Sequence, residues 1–319
     1  MSNLFHENIQ DIEIPKSITG KVCIKLHMGE SGNNTHVTPE DVKVIFDKVR
    51  ANGGEPFLLD TTTLYRQRRY TKEDYMEVVR EHGFGNFPVV IGSDDDVEMI
   101  HGYGIPREIL EADALLVLSH GKGHLITAYG GAIKNIGMGC VNKDGKRRIH
   151  NPDRPTHISE KCTKCKACIE ACPDELIKMD DDGNIKVNRL DCSGCGECVK
   201  ACNFEAMIQD PESKDISFRE FAIAAKAVLD QFPKEKVFYV TVLKNITKWC
   251  DCASDPGEIV CPDIGYLSDT DPIKIDADSI RLIKEKKPDA LDFETWALFE
   301  KKSREVLGGQ KDLEEFKQI

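Results

Sequence analysis

The sequence predicts an α/β protein with an open, mostly parallel sheet flanked by helices. Three observations carry this prediction. Short apolar runs at residues 22–26, 56–60, 87–91, 114–118 and 237–243 lack the alternation of a half-exposed strand, as expected of a sheet covered on both faces. Segments with apolar residues at helical spacing fall between those runs. Each run also gives way to a polar loop, where ligands bind in open α/β sheets.

Residues 1–20 are polar and mixed, and are expected to fold over the body as an N-terminal extension. After the first strand, Thr38 is placed to cap a helix that has Pro39 in its first position and Val42, Ile45, Phe46 and Val49 on one face. Gly53 and Gly54 end it. A second helix over 71–81 turns Tyr75, Val78 and Val79 inward. The stretch from Gly130 to Cys140 holds four glycines and leaves little room for ordinary helix packing. It reads either as backbone approaching a ligand or as a tight connection. Lys143, Lys146, Arg147, Arg148 and His150 form a basic spot after it, either a solvated loop or an anchor for an anionic group. Phe218, Phe221, Ala222, Ala225 and Leu229 then resume helical spacing. Asp271 and Pro272 open another helix, and 293–307 forms a last one before a polar, frayed end.

Eight of the thirteen cysteines fall into two copies of one pattern. Cys162, Cys165, Cys168 and Cys172, followed by Pro173, are repeated thirty residues later as Cys192, Cys195, Cys198 and Cys202, followed by Asn203. This is the ligand run of a bacterial two-cluster ferredoxin, in which the fourth cysteine of each copy reaches the other cluster. Cys162, Cys165, Cys168 and Cys202 are therefore assigned to one 4Fe-4S cluster, and Cys192, Cys195, Cys198 and Cys172 to a second. Structural zinc wants separated pairs of ligands, and a triplet plus one overshoots that need. Disulfides call for an oxidising compartment, and the first residues show neither a basic start nor an apolar signal core. Three parts follow: an α/β host domain over 1–154, a two-cluster ferredoxin-like α+β insert over 155–211, and the rest of the host over 212–319.

Net charge of −12 argues against a nucleic-acid or anionic-membrane surface. No apolar run approaches the roughly 18 residues of a membrane span. A cytoplasmic protein is expected. The insert carries seven Lys and Arg against eleven Asp and Glu, a balance suited to a basic face on an electron-exchange partner.

The strand-end loops hold His27, Glu30, Asp60, Arg66, His120, Lys122 and His124, read either as site residues or as solvated loop. Lys134 joins the candidates from the glycine-rich stretch. Cys250 and Cys252, with Cys140, are possible ligands of a third cluster or metal, or else small buried hydrophobes. Cys261 is a weaker candidate, and Cys23 belongs to the core.

Several stretches together resemble one family: VCIKLHMGE at 22–30, SHGKGH at 119–124, GGAIKNIGMGC at 130–140, WCDC at 249–252, and 263–265 with Asp271 and Pro272. It is the uncharacterised iron-sulfur-centre proteins, domain-of-unknown-function family 362, many of which carry a two-cluster insert. The resemblance implies an α/β host and iron-sulfur redox work. The function expected is an oxidoreductase passing single electrons through two 4Fe-4S clusters to a site where His27, His120, Lys122, His124 and Lys134 bind a small-molecule substrate or move protons. The alternative is an electron carrier that docks a redox partner and has no substrate of its own. The first requires a pocket with convergent His, Lys and Cys; the second predicts a flat acidic surface and indifferent strand-end loops.

Overall fold

A computed structural model describes residues 5–152, 154–189, 191–209 and 213–308. In chain order, β1 (Phe5–His6) precedes β2 (Gly20–Lys25), α1 (Pro39–Ala51), β3 (Gly54–Thr61), α2 (Lys72–Glu81) and β4 (Val89–Gly92). A hairpin, β5 (Val97–Ile100) and β6 (Tyr103–Pro106), and a short helix α3 (Arg107–Leu110) lead into β7 (Ala114–His120). A second hairpin, β8 (Lys122–His124) and β9 (Ala128–Gly130), is followed by α4 (Ala132–Gly139) and α5 (Lys143–His150). The cysteine-rich segment contributes β10 (Thr156–His157), α6 (Ala167–Glu170), β11 (Ile177–Met179), β12 (Ile185–Val187), α7 (Glu197–Lys200) and β13 (Met207–Ile208). The chain then returns through α8 (Lys214–Leu229), β14 (Val237–Leu243), the pair β15 (Ile246–Thr247) and β16 (Ile259–Cys261), β17 (Gly265–Asp269), α9 (Pro272–Lys286) and α10 (Phe293–Leu307).

The main sheet runs β1-β17-β14-β7-β2-β3-β4. From β14 to β4 every neighbouring pair is parallel, and β17 and β1 close one edge with antiparallel pairs. Successive side chains of one strand point to opposite faces. In β7, Leu115 and Val117 enter one core with α4, α8, α9 and α10, while Ala114, Leu116 and Leu118 enter the other with α1 and α2. Both faces are thus covered, which is why the strands read as unbroken apolar runs.

The expected helix ends hold. Thr38, Thr71 and Asp271 each accept hydrogen bonds from amides of the first turn, and α1 and α9 carry Pro at their starts. The N-terminal extension supplies edge strand β1. The boundary at 211–212 and the tail from 309 onward lie outside the described residues.

The glycine-rich stretch departs from expectation, since Ala132–Gly139 is a helix. Its small residues permit close packing. A Cβ on Gly137 would lie 2.5 Å from the carbonyl oxygen of Phe221 in α8. The basic spot is also a helix, α5, and its Lys146 is buried.

The cysteine-rich lobe has its own small core of Cys168, Ile177, Ile185, Cys198 and Met207. The thirty-residue repeat is structural as well. Left-handed backbone recurs at Lys164 and Gly194, at Lys166 and Gly196, and at Glu175 and Glu205. The lobe meets the host through Arg154, which donates to the Cys192 carbonyl at 3.1 Å, and through the Lys200 ammonium lying over the Trp249 ring.

The α4–α8 contact sets two effects against each other in Gly137→Ala. Alanine gains about 1 kcal/mol in helix propensity, but overpacking costs about 1–3 kcal/mol. We expect a net loss of up to about 2 kcal/mol, read from the urea midpoint; a higher midpoint would contradict the close packing.

Candidate functional site

Strand order places a topological switch between β2 and β7. From β2 the chain winds outward through β3 and β4, then returns to β7 on the other side of β2. Crevices at such points, beyond the carboxyl ends of the strands, are where open α/β sheets bind ligands. Here the crevice is a cavity of about 470 Å³ whose walls include His27 after β2, Asp60 in β3, His120 in β7, Lys122 and His124 of the hairpin, Lys134 of α4, and Cys250 and Cys252. The far wall is the cysteine-rich lobe, with Pro173, Ser193, Gly194, Cys195, Glu197 and Lys200. Gly123 lets the hairpin approach: a Cβ there would lie 2.1 Å from the Lys248 carbonyl oxygen.

A buried polar framework holds the strand ends. Lys25 Nζ donates to the Leu26 carbonyl (2.9 Å), Asp60 (3.0 Å) and Asn135 (2.7 Å), which uses all its hydrogens. Asn135 in turn donates to the Leu118 carbonyl and Ser119 Oγ, both at 3.1 Å, tying α4 to the end of β7. Arg69 donates to Glu30 (3.0 Å), His27 Nε2 (2.8 Å) and the Tyr65 hydroxyl (2.5 Å). Tyr65 passes its hydrogen to the Cys252 carbonyl at 3.1 Å. Arg69 and the Gly29 amide both face His27 nitrogens, and a neutral ring can accept from only one of them. Burial, with the Arg69 charge second, holds the His27 pKa well below the ordinary value.

Asp251 is the centre of the second framework. Its carboxylate lies 2.9 and 3.0 Å from His120 Nδ1 and 3.0 Å from Lys122 Nζ. Burial alone would raise its pKa, but His120 and Lys122 together hold it well below the carboxylate range. His120 Nε2 faces the Lys244 carbonyl at 2.8 Å, so both ring nitrogens face acceptors. Lys122 also donates to the His120 carbonyl at 3.0 Å. The proton-moving role expected of His120 and Lys122 therefore gives way to positioning: both are committed to Asp251.

Cys250 and Cys252 flank Asp251 and line the cavity. The Cys252 thiol hydrogen-bonds to Cys250, and this, followed by Lys134 and Lys122, outweighs burial and lowers the Cys250 pKa; Cys252 moves up. Lys134 Nζ lies 3.6 Å from Cys250 Sγ. Cys140, by contrast, is in the core at the end of α4, where burial pushes its thiol up to about 12. Among the described residues, no three His, Cys, Asp or Glu side chains close on a point to hold one ion. The structure thus joins Cys250 to Cys252 without Cys140. Cys261 and Cys23 are core residues, and Arg66 does not line the cavity.

Sequence reasoning passed over Arg69, which lies beyond the strand-end loop, and placed Lys146 in a basic spot read as solvated loop or anion anchor; its Nζ donates to Thr61 and the Val141 carbonyl at 2.6 Å each. Burial lowers the Lys146 pKa to about 8.

In the lobe, Cys162, Cys165, Cys168 and Cys202 surround one small cavity, and Cys172, Cys192, Cys195 and Cys198 surround another. Amides of Lys164 and Ala206 donate to the sulfurs of Cys162 and Cys202 at 3.4 and 3.3 Å. Their counterparts thirty residues away, from Gly194 and Leu176, reach Cys192 and Cys172 at 3.5 and 3.3 Å. Amide donors aimed at sulfur favour thiolate. Each quartet encloses a space rather than a point, and all thirteen cysteines are free thiols.

Two outcomes follow. Asp251→Asn leaves the Lys122 charge without its buried counter-ion and should cost about 3–5 kcal/mol. Because the folded pKa lies below the unfolded value of about 3.9, that loss should be complete at pH 7 and shrink as pH falls below about 4. Denaturation of both proteins at pH 7 and 3 checks this, and a gap independent of pH would contradict it. Cys252→Ala removes the hydrogen bond that favours the Cys250 thiolate, so alkylation of Cys250, followed by peptide mapping, should begin at higher pH; an unmoved profile would separate the two thiols.

Comparison with known proteins adds a relative and a fold likeness. Over 58 residues the chain is 38% identical to pyruvate synthase subunit PorD of Methanocaldococcus jannaschii, covering 18% of this chain and 64% of that protein, less than two thirds of its length. The lactate racemase apoprotein of Thermoanaerobacterium thermosaccharolyticum aligns over 88% of this chain and 56% of its own, at 13% identity and a TM-score of 0.44. The family model described as Domain of unknown function (DUF362) matches residues 22–281, so the chain belongs to that family.

Proposed function

We propose that the protein is an iron-sulfur oxidoreductase in which the segment 155–211 is an inserted two-cluster unit serving the cavity of the α/β host. Cys162, Cys165, Cys168 and Cys202 would hold one 4Fe-4S cluster, and Cys172, Cys192, Cys195 and Cys198 the other. The observation that carries this reading is that each quartet surrounds its own cavity, with backbone amides directed at two thiols of the repeat in each half. Bound clusters of this kind supply one-electron transfer.

Cys195 belongs to a quartet and also lines the large cavity, whereas Cys162, Cys165, Cys168 and Cys202 do not line it. The second quartet is therefore the one beside the substrate. Cys165 is exposed, so the first quartet faces outward, toward an electron-exchange partner. Likeness of one stretch to an enzyme subunit fits exchange with a partner protein.

On the host side, this chain's own groups bind and move protons. Lys134 and His124 face the substrate, and the Cys250 and Cys252 pair stands beside it. Lys146, titrating near neutrality, can give or take a proton. A carrier without a substrate has no need of a 470 Å³ cavity where His, Lys and Cys converge, which favours the enzyme reading over the carrier.

The test is iron and acid-labile sulfide per chain on anaerobically purified protein. About eight of each are expected in wild type and in a Cys250→Ser/Cys252→Ser double variant, and about four irons after Cys195→Ser. A single zinc, or iron unaffected by Cys195→Ser, would overturn the assignment.

A further inference from the structure

The chain carries a net charge of −12, yet six Lys and Arg side chains line the cavity against three Asp and Glu. Four of the six are ion-paired, Lys25 with Asp60, Arg69 with Glu30, Lys122 with Asp251 and Lys200 with Glu197, which leaves Lys134 and Lys146 as the cations whose field reaches a ligand. In a low-dielectric cleft such charges concentrate ligands of the opposite sign.

Most of these cations are already engaged. Lys25 and Arg69 serve the strand-end framework, Lys122 is bound to Asp251, Lys146 donates to Thr61 and Val141, and Lys200 pairs with Glu197 at 2.7 Å. Lys134 differs, because its contact is the Cys250 sulfur at 3.6 Å and an ammonium has three hydrogens to donate, so a ligand oxygen can join the sulfur at Nζ.

His124 completes the arrangement. The amides of Ile126 and Thr127 donate to its Nδ1 at 3.3 and 3.2 Å, which puts the ring hydrogen on Nε2. The ring lines the same cavity as Lys134, and burial followed by the Lys134 charge keeps it neutral. A neutral Nε2–H donor and an ammonium are a matched pair for a carboxylate or phosphate oxygen.

We infer that the cavity takes a small organic anion whose oxyanion group is held by Lys134 Nζ and His124 Nε2–H, next to Cys250. The inference rests on the cavity being the substrate site of the proposed function, and it adds the class of molecule bound. A volume of about 470 Å³ suits a metabolite-sized ligand rather than a macromolecule.

The probe is a pair of alkylating agents that differ in charge, iodoacetate and iodoacetamide, applied to the full-length anaerobic protein with Cys250 followed by peptide mass. Relative to glutathione in the same buffer, the iodoacetate-to-iodoacetamide rate ratio at Cys250 should rise about tenfold, the lower end of charge-focused rate gains. Lys134→Met should bring it back toward the glutathione value, and Lys134→Arg should preserve it. A wild-type ratio equal to that of glutathione overturns the inference, as does a ratio that Lys134→Met leaves unchanged, or a Cys250 that reacts with neither reagent until the protein is denatured. The wild-type ratio needs no variant, so a misfolded substitution does not rescue the idea. Iron content read on the same samples reports on the clusters separately: normal iron with an ordinary ratio sinks the anion site alone, and absent iron with a raised ratio sinks the cluster reading alone.

Discussion

The candidate site hangs on one buried carboxylate. Asp251 is fully enclosed and meets two partners, the His120 ring from the end of β7 and the Lys122 ammonium from the hairpin after it. Removing a charge from water costs several kcal/mol, and only close counter-charges and complete hydrogen bonding offset it. Asp251 therefore fixes the loop after β15 against the sheet. The two cysteines flanking it are carried to the cavity by that attachment, and the Tyr65 hydroxyl pins the Cys252 carbonyl from the other side. The most conspicuous charged groups of the site are in this sense structural, and in the proposed function chemistry falls to Lys134, His124, Lys146 and the thiol pair.

The lobe is organised by repetition rather than by size. Its core is a handful of side chains, two of them cysteines, too few to stabilise a domain of this length by apolar burial at about 25 cal/mol per Å². Small folds in that position use crosslinks or bound metal. Two copies of one thiol-bearing loop, each with left-handed residues one place before its second cysteine and two places before its third, provide equivalent sites on either side of the lobe. Among the described residues, Cys195 of the second quartet lines the host cavity and no cysteine of the first quartet does.

Much of this was legible in the sequence, for identifiable reasons. The sheet strands read clearly because both faces are covered, and the helix starts read clearly because Thr38, Thr71 and Asp271 are good caps. His27, His120, Lys122, His124, Lys134, Cys250 and Cys252 do share one cavity, as the strand-end rule implies. Other features gave no local signal. The hairpin of Lys122–His124 is short and polar, without alternation. Four glycines disguised α4, whose lack of side chains serves the contact with α8. Lys146 looked like one of several surface cations because burial is a tertiary property, and Cys140 looked like a ligand because its spacing from a strand end says nothing of its direction.

In the proposed arrangement the second quartet, and not the first, faces the thiol pair across the cavity. The direct measurement attaches a nitroxide to Cys250 and follows its spin relaxation as the clusters are reduced, in wild type, Cys195→Ser and Cys165→Ser proteins. Reduction should shorten the nitroxide relaxation strongly in wild type, much less in Cys195→Ser, and nearly as strongly as wild type in Cys165→Ser. Relaxation indifferent to reduction, or lost with Cys165→Ser and kept with Cys195→Ser, would contradict it.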